Sequence, residues 1–177
     1  MFLSLILFSV SCDDDDQKAA QLINDTLEDG NAWKFFNAGD AGHIGLLEER
    51  ASASLSHSLF SRSSLESSGY SQWVLTLQAP KVQPGSALEL TVKVKVSELT
   101  GEGAIVAIRG DKKNSAYGFL ETTQNKISIN GTKDFESYTV KVDSYPDGIV
   151  IMYVFLILHG NSRGDVYFDD VFLVAHP

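Results

Sequence analysis

Leu88-Glu-Leu-Thr-Val-Lys-Val-Lys-Val96 alternates without a break. Leu88, Leu90, Val92, Val94 and Val96 fall on one side of an extended chain; Glu89, Thr91, Lys93 and Lys95 fall on the other. A helix would need apolar positions every three or four residues, so a period of two specifies a strand with one buried and one wetted face. Such a strand needs partners, and the rest of the chain supplies them. Trp33–Phe36, Leu46–Ala51, Ala53–Arg62, Gln72–Gln78, Ala104–Arg109, Tyr117–Glu121, Ile149–Leu158 and Gly164–Val174 are each short and rich in β-branched or aromatic residues. Gly-, Ser- or Pro-containing stretches separate them, among them Asn37–Gly45, Ser63–Gly69, Pro84-Gly85 and Tyr145-Pro-Asp-Gly148. Asn130-Gly131 predicts a hairpin turn between Lys126–Ile129 and Tyr138–Val142. No amphipathic helix interrupts this series from Asn31 onward. Many short strands at regular spacing specify an all-β sandwich or barrel.

The 177 residues suffice for one domain with a sizeable core, and no internal repeat divides them. The net charge of −9 argues against a nucleic-acid partner, because no basic surface offsets phosphate repulsion. The single cysteine, Cys12, rules out an intrachain disulfide.

Cys12 has a different use. Met1–Ser11 is apolar and small, too short to span a bilayer as a helix and suited to the apolar region of a signal peptide. Phe8-Ser-Val-Ser-Cys12 resembles a bacterial lipoprotein processing box, which implies cleavage before Cys12 and lipidation of its thiol. Asp13–Asp16 resembles the surface-export signal of lipoproteins in Bacteroidetes-type bacteria. The resemblance implies a lipid-anchored, surface-exposed protein of the outer membrane. On this reading residues 1–11 are the signal, 12–30 a lipidated cysteine and acidic tether, and 31–177 the folded domain. Gln17–Gly30 is either plain tether or a short helix.

The closing strand, Gly164-Asp-Val-Tyr-Phe-Asp-Asp-Val-Phe-Leu-Val174, carries two adjacent carboxylates in an apolar run. Such a pair is costly to bury unless a cation or several donors neutralise it. This strand resembles the last strand of jelly-roll carbohydrate-binding modules in the galactose-binding-like superfamily, closest to the cellulose- and xylan-binding group (families four, nine and twenty-two). The order of signals from Trp33 to Val174 fits as well: an aromatic opening strand, a Ser-rich pair, a tryptophan strand, a Pro-Gly turn, the long alternating strand, then Gly131-Thr132, Phe135 and Tyr138. Phe135 stands where that group commonly has tryptophan. The resemblance implies a β-sandwich jelly roll of two antiparallel sheets, holding a sugar chain against aromatic rings on its concave sheet. It also implies a structural calcium near the ends of the first and last strands, with Asp170 as one ligand and Glu28, Asp29 or Asp40 as its partner.

Ile149–Leu158 is apolar at all ten positions, which puts about half of them on the outer face of a sandwich strand. Either a loop covers that face or the face is a ligand platform. Sugar recognition needs flat rings for pyranose faces and planar polar groups for hydroxyls. The candidate rings are Tyr70, Tyr117, Phe119 and Tyr153; the candidate polar partners are Arg109, Gln124, Asn125, His159 and Asn161. Trp33 and Trp73 are expected in the core. Nucleophile elbows, dinucleotide and phosphate loops and zinc-protease motifs are all missing from the sequence, so the expected role is non-catalytic. The alternative is a structural subunit whose apolar sheet docks a protein partner in a surface complex.

Overall fold

The computed structural model describes residues 19–177, except 29, 40, 41, 50, 65–67, 114 and 115. The predicted signal segment, Cys12 and Asp40 lie outside the described residues. Ten strands follow in order: β1 Ala20–Asp25, β2 Lys34–Ala38, β3 Ile44–Glu48, β4 Ser58–Ser63, β5 Tyr70–Gln78, β6 Ala87–Lys112, β7 Tyr117–Thr122, β8 Ile129–Val142, β9 Ile149–Leu158 and β10 Arg163–His176.

All pairings are antiparallel, and the central path runs β2-β5-β9-β6-β10-β4-β3. The path folds into two layers because β6 changes partners midway. Its first half pairs with β10 and β8, and its second half, from Ala104, pairs with β9 and β7. One sheet is therefore β3, β4 and β1 beside β10, then β6 and β8; the other is β2-β5-β9-β6-β7. The alternation of Leu88–Val96 sets the inward face of the first sheet. Trp73, Leu75, Met152, Val154, Leu156, Val106 and Ile108 set the opposing face, and all are buried in one core. The tryptophans expected inside are there, Trp33 donating to Asp25 Oδ2 at 2.9 Å and Trp73 to Ser61 Oγ at 3.1 Å.

Four details differ from the sequence reading. Residues 20–25, read as tether or helix, form β1 against the second half of β10, with Ile23 buried. The domain therefore begins at least eleven residues before Asn31. Ile23 is the one fully buried side chain of that strand and its neighbour Leu22 packs partly against the core, so the two give no period-two signal. The expected strands 88–96 and 104–109 are one 26-residue strand, because Gly101 and Gly103 adopt positive φ and let the backbone cross between sheets without stopping. The two Ser-rich strands are β3 and β4, and between them residues 49 and 51–57 are loop. Asn130-Gly131 does not close a hairpin: it lies within β8, with Gly131 at φ 87° where the register against β6 shifts. Positive φ at glycine serves a bulge as readily as a turn.

His43, between β2 and β3, is buried, with its Nδ1 2.9 Å from Ser71 Oγ. Its Nε2 is buried without a partner, and burial holds its pKa below the ordinary histidine value. A depressed folded-state pKa makes stability greatest above the unfolded pKa, near 6.5, and removes it as pH falls through the lower folded value. Denaturant melts between pH 7.5 and 5.5 are expected to show declining stability, with a shallower decline in His43→Leu. Equal slopes in the two proteins would remove His43 as the cause.

Candidate functional site

The outward positions of the second sheet form the candidate site. Strand alternation places Gln72, Val74 and Thr76 of β5, Tyr153, Phe155 and Ile157 of β9, and Ile105, Ala107, Arg109 and Asp111 of β6 on this face. Leu120 and Thr122 of β7 continue the rows beside Arg109 and Ala107, and Tyr117 stands beside Asp111. From Ile151 to Leu158 the run is apolar throughout because Met152, Val154, Leu156 and Leu158 fill the core and the odd positions floor this face, while Val150 is exposed at the start of the strand.

An open cleft of about 260 Å³ lies over it, lined by Tyr70, Gln72, Arg109, Tyr117, Leu120, Gln124 and Phe155 among others. Tyr70 and Tyr117 are 41% and 71% exposed. They rise from β5 and β7 at opposite corners of the face: Tyr70 lies just beyond the row of Ser71, Leu158 and Ala104, and Tyr117 stands beside Asp111. Arg109 sits between them over three rings, with its Cζ 4.8 Å from the centroid of Tyr153, 5.2 Å from Tyr117 and 5.5 Å from Phe155. Its Nη2 donates to Asp111 Oδ2 at 2.9 Å. The rings and the carboxylate fix the guanidinium's plane, and such cation–π contacts contribute about 0.5–2 kcal/mol each depending on desolvation. Tyr153 and Phe155 stack at 5.7 Å with 23° between planes. The face thus offers exposed rings at its margins, a ring-bedded cation at its centre, and the amides of Gln72 and Gln124 between.

Of the residues singled out from sequence, Tyr70, Arg109, Tyr117 and Gln124 line the cleft, and Tyr153 supports Arg109 from beneath. His159 stands at the rim: its Nε2 is 3.5 Å from Gln124 Nε2, and its Nδ1 is held by Gly160 O at 2.9 Å and Glu102 at 3.1 Å. Phe119 belongs elsewhere. It faces inward opposite Gly110, where any Cβ would overlap its ring, and packs edge-on to Tyr145 at 5.9 Å. Alternation is broken here: the register of β7 against β6 shifts between Gly110 and Asp111, placing Tyr117 outward and Phe119 inward. Asn161 is not at the cleft either. It occupies the β9–β10 turn at φ 58°, with its carbonyl against Gly101. Gln72, Leu120 and Phe155 were missed. Alternation with inward Trp73, and with Tyr153 on the outward face, was the signal for the first and last.

The carboxylates of β10 meet hydrogen-bond donors and an ammonium group. The register of β10 shifts between Asp169 and Phe172, and Asp170 takes φ 45°, a bulge that leaves both side chains buried under loop 51–57. Asp169 accepts from the backbone N–H of Ala53 at 2.6 Å and of Asp170 at 2.7 Å, while burial pushes its carboxyl above the ordinary aspartate range. Asp170 accepts from Ser54 Oγ at 2.5 Å and pairs with Lys93 Nζ at 2.8 Å. Glu28 accepts from Ser56 Oγ at 2.6 Å and Ser56 N at 3.1 Å, which hold its carboxyl below the usual value. Among the described residues no cluster of three or more metal-ligating side chains occurs. Amide and hydroxyl donors with an ammonium suit these carboxylates; they do not suit a calcium that needs six to eight oxygen ligands. The expected ligation by Asp170 and Glu28 is thus not supported by their surroundings.

No protein-family model matches the chain, and no curated protein does. Solved structures do. The family 11 carbohydrate-binding module of the cellulosomal cellulase Lic26A-Cel5E from Clostridium thermocellum superposes with a TM-score of 0.58 at 14% identity, over 88% of this chain and 94% of the module. The CBM22-1 xylan-binding domain from Paenibacillus barcinonensis Xyn10C gives 0.59 at 12% identity, over 89% and 96%. The chain has the jelly-roll fold of carbohydrate-binding modules. Enzymes share that fold. A Stig cyclase from Fischerella sp. TAU, solved with an indole compound, gives 0.62 at 18% identity over 88% of each chain. The enzymatically active domain of bacteriophage CBA120 tailspike protein 4 gives 0.60 at 14% identity, over 84% of this chain and only 20% of that one.

Proposed function

We propose that the chain is a non-catalytic binding module that holds an oligo- or polysaccharide in the cleft over β5, β9, β6 and β7. The observation that carries this reading is the pairing of exposed Tyr70 and Tyr117 with a guanidinium fixed on three rings and two flanking amides. Pyranose rings stack on aromatic faces, and their hydroxyls need planar donors and acceptors. Carbohydrate-binding modules of the same fold lend support, as does the lining of the cleft, where Arg109 is the one charged side chain among the described residues. Two carboxylates facing each other would be needed for glycoside hydrolysis. The lipoprotein-like box at Cys12 favours presentation at the outer membrane by a lipid anchor.

Binding of the chain to a panel of soluble polysaccharides, read by affinity electrophoresis, tests this. Tyr117→Ala and Tyr70→Ala are each expected to weaken retention about tenfold, equivalent to about 1.4 kcal/mol. Tyr70→Ala should leave the melting temperature in place, whereas Tyr117→Ala also removes one ring from under Arg109 and should lower it by a few degrees at most. Retention that survives both substitutions would move the site away from this face. No retention on any polymer would instead favour docking of a protein on the same apolar sheet.

A further inference from the structure

The charge on the cleft face runs against the charge of the chain. The protein carries 23 carboxylates against 14 Lys and Arg. Yet along the outward positions of β2, β5, β9, the second half of β6 and β7, the charged side chains are two cations, Lys34 and Arg109, and one carboxylate, Asp111. Lys34 pairs in register with Val74 at the β2 edge and has no ion pair among the described residues. Asp111 does not line the cleft, whereas Arg109 does. The Arg109–Asp111 pair is also incompletely satisfied: Arg109 Nε and Asp111 Oδ1 are both buried without a partner within the described chain. Only one of the five guanidinium N–H groups is taken up, by Asp111 Oδ2.

A neutral glycan needs no such arrangement, because amides and hydroxyls suffice for sugar hydroxyls. Bedding a guanidinium on Tyr117, Tyr153 and Phe155 keeps its plane fixed and partly dehydrated, the state in which it recognises a planar carboxylate by two parallel hydrogen bonds. The chain as a whole repels polyanions, whereas this face carries one net positive charge, Lys34 and Arg109 against Asp111, and so opposes their approach less. We propose that the cleft selects acidic polysaccharides, with a uronate carboxylate on Arg109 and Lys34 attracting a second carboxylate at the β2 edge. This rests on the glycan-binding reading above and names its ligand class.

The test uses the full chain and two matched panels: acidic polymers (polygalacturonate, alginate, hyaluronan) and neutral ones (methyl-esterified polygalacturonate, mixed-linkage β-glucan, mannan). Polygalacturonate and its ester share a backbone, so their difference isolates the carboxylate. At least one acidic polymer is expected to bind tenfold or more above the neutral panel, with the advantage shrinking as salt rises. Arg109→Gln should remove most of that preference. Lys34→Gln, at an exposed edge position where folding is not at risk, should reduce it two- to threefold. Neutral polymers binding as well as acidic ones, or a preference unchanged in both variants, would overturn the acidic selectivity and leave the glycan reading intact. Binding to neither panel would overturn both.

Discussion

Gly101→Ala is expected to lower the melting temperature by about 10 °C. Gly101 sits where β6 leaves one sheet for the other, at φ 79°, and a Cβ there would overlap the backbone carbonyl oxygen of Asn161. The left-handed conformation costs a non-glycine residue about 1–2 kcal/mol, and overpacking against backbone that cannot rotate away adds about 1–3 kcal/mol. A total near 3–4 kcal/mol corresponds to roughly 10 °C for a domain of this size. Gly85→Ala separates the two contributions. Gly85 has φ 93° and open space around its α-carbon, so its substitution should cost only about 1–2 kcal/mol for conformation. The crossing also matters for the cleft, since the segment that starts at Ala104 carries Ile105, Ala107 and Arg109 onto its floor. Weak binding by Gly101→Ala below its melting point would mean that the floor has shifted as well. If both alanine variants melt alike, the carbonyl of Asn161 is not where the crossing needs it.

What could be read from the sequence was what repeats with period two. Leu88–Val96 and Trp73–Leu77 alternate because one side meets the core and the other meets water, so both strands and their inward faces were legible. Where both sides are apolar the pattern carries no phase, and Ile149–Leu158 could be placed as a strand but not oriented. Register against β5 and β6 is what puts Tyr153, Phe155 and Ile157 outward. Bulges erase phase as well. The shift beside Asp111 turned Phe119 from a cleft candidate into a core-packing ring, and the bulge at Asp169–Asp170 buries both members of an adjacent pair, where strict alternation would bury one. Arg109 could be named as a polar partner from its position after an apolar strand. Its bed of three rings could not, because Tyr117, Tyr153 and Phe155 reach it from two other strands. Long-range pairings of this kind leave no local trace in composition or spacing.

Lys93→Met is expected to cost about 2–3 kcal/mol, or some 6–9 °C, without any loss of apolar packing by the stem. Lys93 points from the outer face of β6 toward the β10 bulge, and its ammonium is 2.8 Å from Asp170 Oδ2. The Asp170 side chain is 5% exposed, so removing the one cation paired with it among the described residues strands a charge in a low-dielectric site, which costs about 3–5 kcal/mol for a fully buried pair. The Lys93 side chain is 37% exposed, so water remains close and the lower figure applies. Asp170→Asn provides the closing arm of a double-mutant cycle. Asparagine tolerates the φ of 45° and keeps an oxygen for Ser54, so Lys93→Met with Asp170→Asn should recover much of the loss. The same pair explains how the fold manages two adjacent carboxylates: the ammonium supplies the neutralising charge, and Ala53 and Ser54 supply the hydrogen bonds. Calcium or a chelator should then leave the melting temperature of the unsubstituted chain unchanged. In Lys93→Met, where Asp169 and Asp170 lack a counter-charge, calcium should raise it. A chelator that lowers the melting temperature of the unsubstituted chain would show that a divalent ion, and not Lys93, neutralises the bulge.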